Sequence, residues 1–144
     1  MSRKKARDTV VKILYSADVN EDFSKGFFQK QIESYKDSDL NPQDMELNED
    51  EEEFASSILE GFSNNKDKID SLISKHLKDW DISRIGRVDL AILRVSVYEI
   101  AFREDIPINV IINEAIENAK LYCRDDSYKF INGVLGSVVE EERE

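Results

Sequence analysis

The sequence has one cysteine, one histidine, two prolines and five glycines among its 144 residues. Each scarcity removes a class of structure or chemistry. With Cys123 alone, no disulfide forms within the chain, and with His76 as the sole imidazole no Cys/His zinc site can be assembled. A nucleophile–imidazole pair would have to use His76, which no local motif supplies with a partner. So little Gly and Pro leaves few tight turns for an all-β sandwich or barrel. No apolar run of about 18 residues is present to span a bilayer, and the N-terminus is basic rather than apolar. These features predict no signal peptide, no membrane association and a cytoplasmic location. Gly133-Val134-Leu135-Gly136 lies inside a helical pattern and follows no strand, so it is not a phosphate loop.

What the chain has in abundance is charge, unevenly placed. It carries 31 acidic and 20 basic residues, a net charge of −11. Residues 1–12 nevertheless hold Arg3, Lys4, Lys5, Arg7 and Lys12 against Asp8 alone. Residues 37–60 hold ten acids and no base, and residues 140–144 are again mostly acidic. A protein patterned in this way can bind a polyanion at one place and repel it elsewhere.

Apolar residues recur at three-to-four spacing along most of the chain, which predicts helices. Ala6, Val10, Ile13, Leu14 and Ala17 place one at about 3–18, and Phe23, Phe27, Phe28, Ile32 and Tyr35 another at about 22–36. Residues 37–48 read mostly as loop, although Asn41-Pro42 could open a helix. Phe54, Ile58, Phe62, Ile69, Leu72, Ile73 and Leu77 share one face of a long helix over about 48–77, interrupted at Asn65. Ser83 is a candidate cap for a short turn. The stretch 88–102 is apolar nearly all round and belongs in the middle of a bundle, with Asp89, Ser96 and Arg103 as its polar stripe. Helices over about 108–122 and 127–141 complete a single all-α domain of about seven helices over residues 1–144. Gly133 and Gly136 inside the last helix suggest close helix contact.

Two places carry candidate chemistry. Arg3, Lys4, Lys5 and Arg7 crowd the N-terminus of a helix, where they oppose the helix dipole, so local stability does not account for them. Phosphate binding would account for them, with a merely solubilising end as the alternative. The second place is the run Asp125 to Phe130, a loop entering a helix. Its N–H groups could accept an anion, Lys129 adds charge, and Tyr128 or Phe130 could stack on a base. The alternative there is a capping loop with Asp126 or Ser127 as N-cap. The acids at 49–53 have neither the alternation nor the Gly of a calcium loop and read as a solvated helix start. Neither a metal site nor a cofactor site is expected. His76 reads as structural at a helix C-terminus, and Cys123 as buried and inert.

Four stretches resemble one family. Arg3-Lys4-Lys5-Ala6-Arg7-Asp8 leading to Ile13-Leu14-Tyr15 is similar to the start of the NusB transcription antitermination factors. Arg87-Val88-Asp89-Leu90-Ala91-Ile92-Leu93-Arg94 with Tyr98-Glu99 is similar too. So are Ile106-Pro107 through Ile111-Ile112-Asn113-Glu114-Ala115-Ile116 to Ala119-Lys120, and Asp126-Ser127-Tyr128-Lys129-Phe130-Ile131-Asn132-Gly133-Val134-Leu135. The resemblance is dense over residues 80–136, clear over 3–15 and loose over 20–55.

The resemblance implies an all-α fold of seven helices in two packed bundles and a binding role, not catalysis. NusB proteins pair with NusE, a small-subunit ribosomal protein. The pair holds boxA-type single-stranded RNA so that the RNA polymerase antitermination complex reads through terminators, notably in ribosomal RNA operons. By position, the resemblance implies RNA contact by Arg3, Lys4, Lys5, Arg7, Tyr15, Asp126, Ser127, Lys129 and Phe130, and NusE contact by Asp89. Some NusB proteins are homodimers, so both a monomer and a homodimer stay open. Where the family often has three arginines, this chain has Arg3-Lys4-Lys5. Lysine keeps the charge but loses the planar fork, which implies weaker RNA contact. The loop Cys123-Arg124-Asp125-Asp126 also departs from the common Gly-containing form. A helical adaptor that binds protein without touching RNA is the alternative.

Overall fold

The three-to-four spacing becomes helix throughout the computed structural model, which describes residues 3–36, 47–77 and 81–143. Helix α1 spans Lys4–Asn20, α2 Lys25–Lys36, α3 Glu49–Lys75, α4 Arg87–Phe102, α5 Ile108–Tyr122 and α6 Ser127–Glu142, with a 3-10 turn at Ile82–Arg84. No helix among the described residues is long and apolar enough to cross a membrane. Of the loop expected over 37–48, Leu47 and Asn48 are described and non-helical. The expected Asn41-Pro42 helix start lies outside the described residues.

The chain divides into two compact units between Asn64 and Asn65, within α3. Asn65 itself leaves helical geometry, at φ −129° and ψ 18°. The residue that interrupts the apolar stripe in sequence thus interrupts the helix in space.

In the first unit, α1 buries Ala6, Val10, Ile13, Leu14 and Ala17, α2 buries Phe28 and Ile32, and the first part of α3 buries Phe54, Ala55, Ile58, Leu59 and Phe62. Phe23, just ahead of α2, stands edge-on to Phe28 with ring centres 6.5 Å apart and lies 6.2 Å from Phe62. Helix α1 stops at Glu21, which takes a left-handed conformation (φ 53°) and donates its N–H to the carbonyls of Ala17 and Asp18. Helix α3 opens on a reciprocal capping pair. The Glu51 N–H donates to Asn48 Oδ1 at 2.8 Å, and the Asn48 N–H donates to Glu51 Oε1 at 2.9 Å. Glu49 to Glu52 occupy that first turn, where the dipole favours negative charge.

The second unit is organised around α4, which packs on both α5 and α6 while those two pack on each other. Every residue of α4 from Leu90 to Ile100 is buried. That run includes the charged Arg94, whose guanidinium grips Asp70 of α3 as a fork, at 2.9 and 3.1 Å. Lys66 Nζ joins the same carboxylate at 2.9 Å. The expected polar stripe of Asp89, Ser96 and Arg103 is therefore corrected. Ser96 Oγ turns back onto the Ile92 carbonyl, and Arg103 forks onto Asp105, while the buried ion pair is made by Arg94. Just past α6, the Arg143 guanidinium donates to the carbonyls of Glu99, Ile100, Arg103 and Ile106. It supplies the donors that the end of α4 lacks.

Two local expectations are overturned. Asp81, not Ser83, caps the 3-10 turn, its carboxylate accepting from the Ser83 N–H at 3.1 Å. Gly133 and Gly136 are not sites of close helix contact, because a Cβ on either would meet nothing within 4 Å. Residues Ile131, Val134, Leu135 and Val138 take the inner face of α6 and leave both glycines exposed. A mid-helix glycine without a packing role is a net loss against alanine. Gly133→Ala and Gly136→Ala should each stabilise the protein by about 0.5–1 kcal/mol in urea unfolding. Loss of stability in either would mean that a neighbour does approach that face. Asp70→Ala should destabilise by about 3 kcal/mol because it strands the buried Arg94 cation, and adding Arg94→Met should recover most of that loss. Equal stability of the single and double variants would show that the stranded charge is not the cause.

Candidate nucleic-acid interface

In the first unit the basic run forms the opening of α1. Its first turn contains no acid, and its N-cap residue, Arg3, makes no side-chain cap bond. Four cations therefore stack their field on the positive end of the helix. They do not share one environment. Arg3 is exposed, and Lys4 and Lys5 are half-buried. Arg7 is buried at 4% exposure, with its guanidinium 5.1 Å from the centre of the Phe54 ring. The sequence groups Arg7 with the surface cations, whereas the packing of α1 on α3 draws it inward. Tyr15 is exposed at 41%. Eleven residues make about three turns, so Tyr15 falls within about 20° of Lys4 around the α1 axis. Lys4 and Tyr15 therefore share the outer face of α1.

In the second unit the loop Arg124–Ser127 opens into a cleft of about 530 Å³. Its walls are Arg84, Ile85 and Gly86, then Asp89, and on the far side Arg124, Asp125, Asp126, Ser127 and Phe130. Two helices begin here. Gly86 is the N-cap of α4 and Asp126 that of α6, and neither provides a side-chain cap bond. The capping role expected of Asp126 is thus confined to its position in the backbone. Two helix N-termini flanked by Arg84 and Arg124 form a seat for an anion. Asp89, Asp125 and Asp126 bring three negative charges to the same cleft.

Of the residues singled out in this loop, Asp126, Ser127 and Phe130 line the cleft together with Asp89. Lys129 is exposed and does not line it. The face of Tyr128 is taken by Lys120, whose ammonium lies 4.8 Å from the ring centre. Of the two aromatic rings proposed for base stacking, Phe130 is therefore the one in the cleft. Asp89 is half-buried, and its carboxylate helps to hold the Cys123 thiol in the protonated form.

A sequence profile of the NusB family matches residues 4–140. The transcription antitermination protein NusB of Acetivibrio thermocellus is 39% identical over 97% of this chain and 90% of its own length. Among solved structures, T. maritima NusB superposes with a TM-score of 0.84 at 32% identity, covering 99% of this chain and 93% of that one. A chain from a structure of antitermination factors NusB and NusE in complex with dsRNA superposes at 0.81, with 28% identity over 96% of each chain.

The chain belongs to the NusB family.

Within this NusB-family chain the cleft residues that no sequence motif marks are Arg84, Gly86 and Arg124. Arg84 sits in the 3-10 turn and Gly86 at the head of α4, far from Arg124 in sequence, so no local pattern joins them. Among the described residues, no group of three or more His, Cys, Asp or Glu is placed to hold a metal ion. His76 lies beside Glu141, with Nε2 3.4 Å from a carboxylate oxygen. That is at the C-terminal end of α6, whereas the cleft is at its N-terminus.

Cys123 is half-buried rather than fully buried. Burial, reinforced by the neighbouring Asp89 carboxylate, pushes its thiol up to about 12. At pH 8 the thiol stays protonated, and its alkylation by iodoacetamide should be on the order of a hundred-fold slower than that of a free cysteine. Asp89→Asn removes the opposing charge and should speed the reaction several-fold. An unchanged rate would show that Asp89 does not act on the thiol.

Proposed function

We propose that this chain is a transcription antitermination factor that binds boxA-type single-stranded RNA together with NusE, within the RNA polymerase antitermination complex. It acts in the cytoplasm and makes or breaks no bond. Its mechanism is tethering, in which the RNA element is held by two proteins at once and so gains local concentration at the polymerase. The observation that carries this reading is the cleft of the second unit, where two helix N-termini open between Arg84 and Arg124. The relatives' name and the solved NusB–NusE complex with dsRNA support it. The outer face of α1, with Lys4 and Tyr15, is the second contact assigned to RNA. Arg7, buried, serves by holding α1 rather than by touching phosphate.

A negative surface and a positive one serve different partners. Asp89 and the acids of residues 37–60 suit a basic ribosomal protein, while Arg3, Lys4, Lys5, Arg84 and Arg124 suit phosphate. The adaptor that binds protein alone is the competing reading, favoured by the three aspartates in the cleft.

Fluorescence anisotropy with a labelled boxA-type RNA, with and without NusE and over a salt series, separates the two. Three or four phosphate contacts should give a slope of log K against log[salt] of about −2 to −3 for a single strand. NusE should tighten binding. Arg124→Glu and the pair Lys4→Glu with Lys5→Glu should each weaken RNA binding about ten-fold or more at low salt. A flat salt response, or charge reversals without effect while NusE still binds, would replace this reading with the protein-only adaptor.

A further inference from the structure

Phe54 lies in the second turn of α3 and is nearly buried, at 6% exposure. Two guanidinium groups lie over its ring. The Arg3 carbon centre is 4.3 Å from the ring centre and that of Arg7 is 5.1 Å. Burial alone explains Arg7, whose stem runs with the core residues of α1. It does not explain Arg3, which is exposed and could hold its head in water. Among the described residues, Arg3 makes no hydrogen bond or ion pair through its guanidinium, so the ring is what orders it. A guanidinium stacked by its flat face keeps its N–H edge for other partners, and that edge matches the two oxygens of a phosphate.

The ring is itself held in place. The reciprocal Asn48–Glu51 capping pair sets the start of α3 one turn before Phe54. Glu51 is buried at 8% exposure. Thr9 Oγ1 donates to the Lys5 carbonyl at 2.9 Å, and the Arg7 N–H donates to the Arg3 carbonyl at 2.9 Å, so the backbone on which Arg3 and Arg7 are mounted is also tied.

We infer that Phe54 is a positioning residue for RNA binding: its ring orders the Arg3 guanidinium in advance, so that Arg3 is the pre-arranged phosphate fork of a run in which Lys4 and Lys5 supply point charges. The inference rests on the RNA-binding reading above. It also accounts for how the chain tolerates lysine at the two positions after Arg3. One arginine held on a ring loses less freedom on binding than a free one, so it can do the orienting while Lys4 and Lys5 supply charge.

The test is anisotropy with the same labelled single-stranded RNA, with NusE present, over the same salt series. Arg3→Lys keeps the charge and removes the stacking fork. Being an exposed change, it leaves the core alone. It should weaken binding about two- to five-fold, the range of an exposed cation–π contact, without altering the salt slope, because the number of cations is unchanged. Phe54→Leu keeps an apolar side chain and removes the ring face. It should weaken binding by the same factor, again at constant slope, and the double variant should be no weaker than either single one. Phe54→Tyr keeps the ring and should bind within about two-fold of the parent. Thermal unfolding of each variant by circular dichroism identifies any variant that no longer folds. If Phe54→Leu is among them, Arg3→Lys and Phe54→Tyr still decide the matter.

Arg3→Lys binding like the parent overturns the inference. So does a Phe54→Leu effect that persists undiminished in the Arg3→Lys background. If Lys4→Glu with Lys5→Glu weakens RNA binding while Arg3→Lys and Phe54→Leu do not, the positioning role falls and the RNA-binding reading stands. If the parent protein with NusE binds no RNA, both fall together.

Discussion

Burial of α4 from Leu90 to Ile100 is the constraint on which the second unit depends. No helix satisfies its own terminal N–H and C=O groups, and one buried through its middle cannot carry a charge there without a partner. The structure meets each demand separately. Arg94, the buried cation, is gripped by Asp70 from α3. The carbonyls at the C-terminus of α4 and in the loop after it receive the Arg143 guanidinium. The N-terminus, headed by Gly86, is left without a side-chain cap and forms one wall of the cleft. The end of α4 without a side-chain cap is the end that opens on the cleft.

The same economy of partners applies at the cations of α1. Lysine and arginine at a helix N-terminus are unfavourable in isolation. Here the two arginines lie against an aromatic ring, one of them in the interior, and the two lysines are half-buried. Members of the run differ in role because the helix turns by about 100° per residue, which sends Arg7 inward and Lys4 outward.

Helical structure was largely legible from spacing because the 3.6-residue period is local. The apolar stripe predicts a long helix over about 48–77, and α3 runs Glu49–Lys75 with its interruption at Asn65, where the stripe breaks. The residues of 88–102 were apolar all round, and α4 is buried accordingly. Gly133 and Gly136 were misread because a glycine in a helix has several causes, and only the distance to a neighbour separates them. The cap at the 3-10 turn fell on Asp81 rather than Ser83 because both types cap well and the choice depends on where the turn begins.

The amino-acid order by itself determined the helices, the segregation of charge and the basic opening of α1, since each follows from residue type and near-neighbour spacing. Tertiary structure alone decided which cations meet solvent and which a ring. It decided that Asp70 answers Arg94. It decided that Arg84 and Gly86 face Arg124 and Phe130 across one cleft. These pairings join residues 24 to 51 positions apart, and no local period encodes a contact that exists only once helices pack.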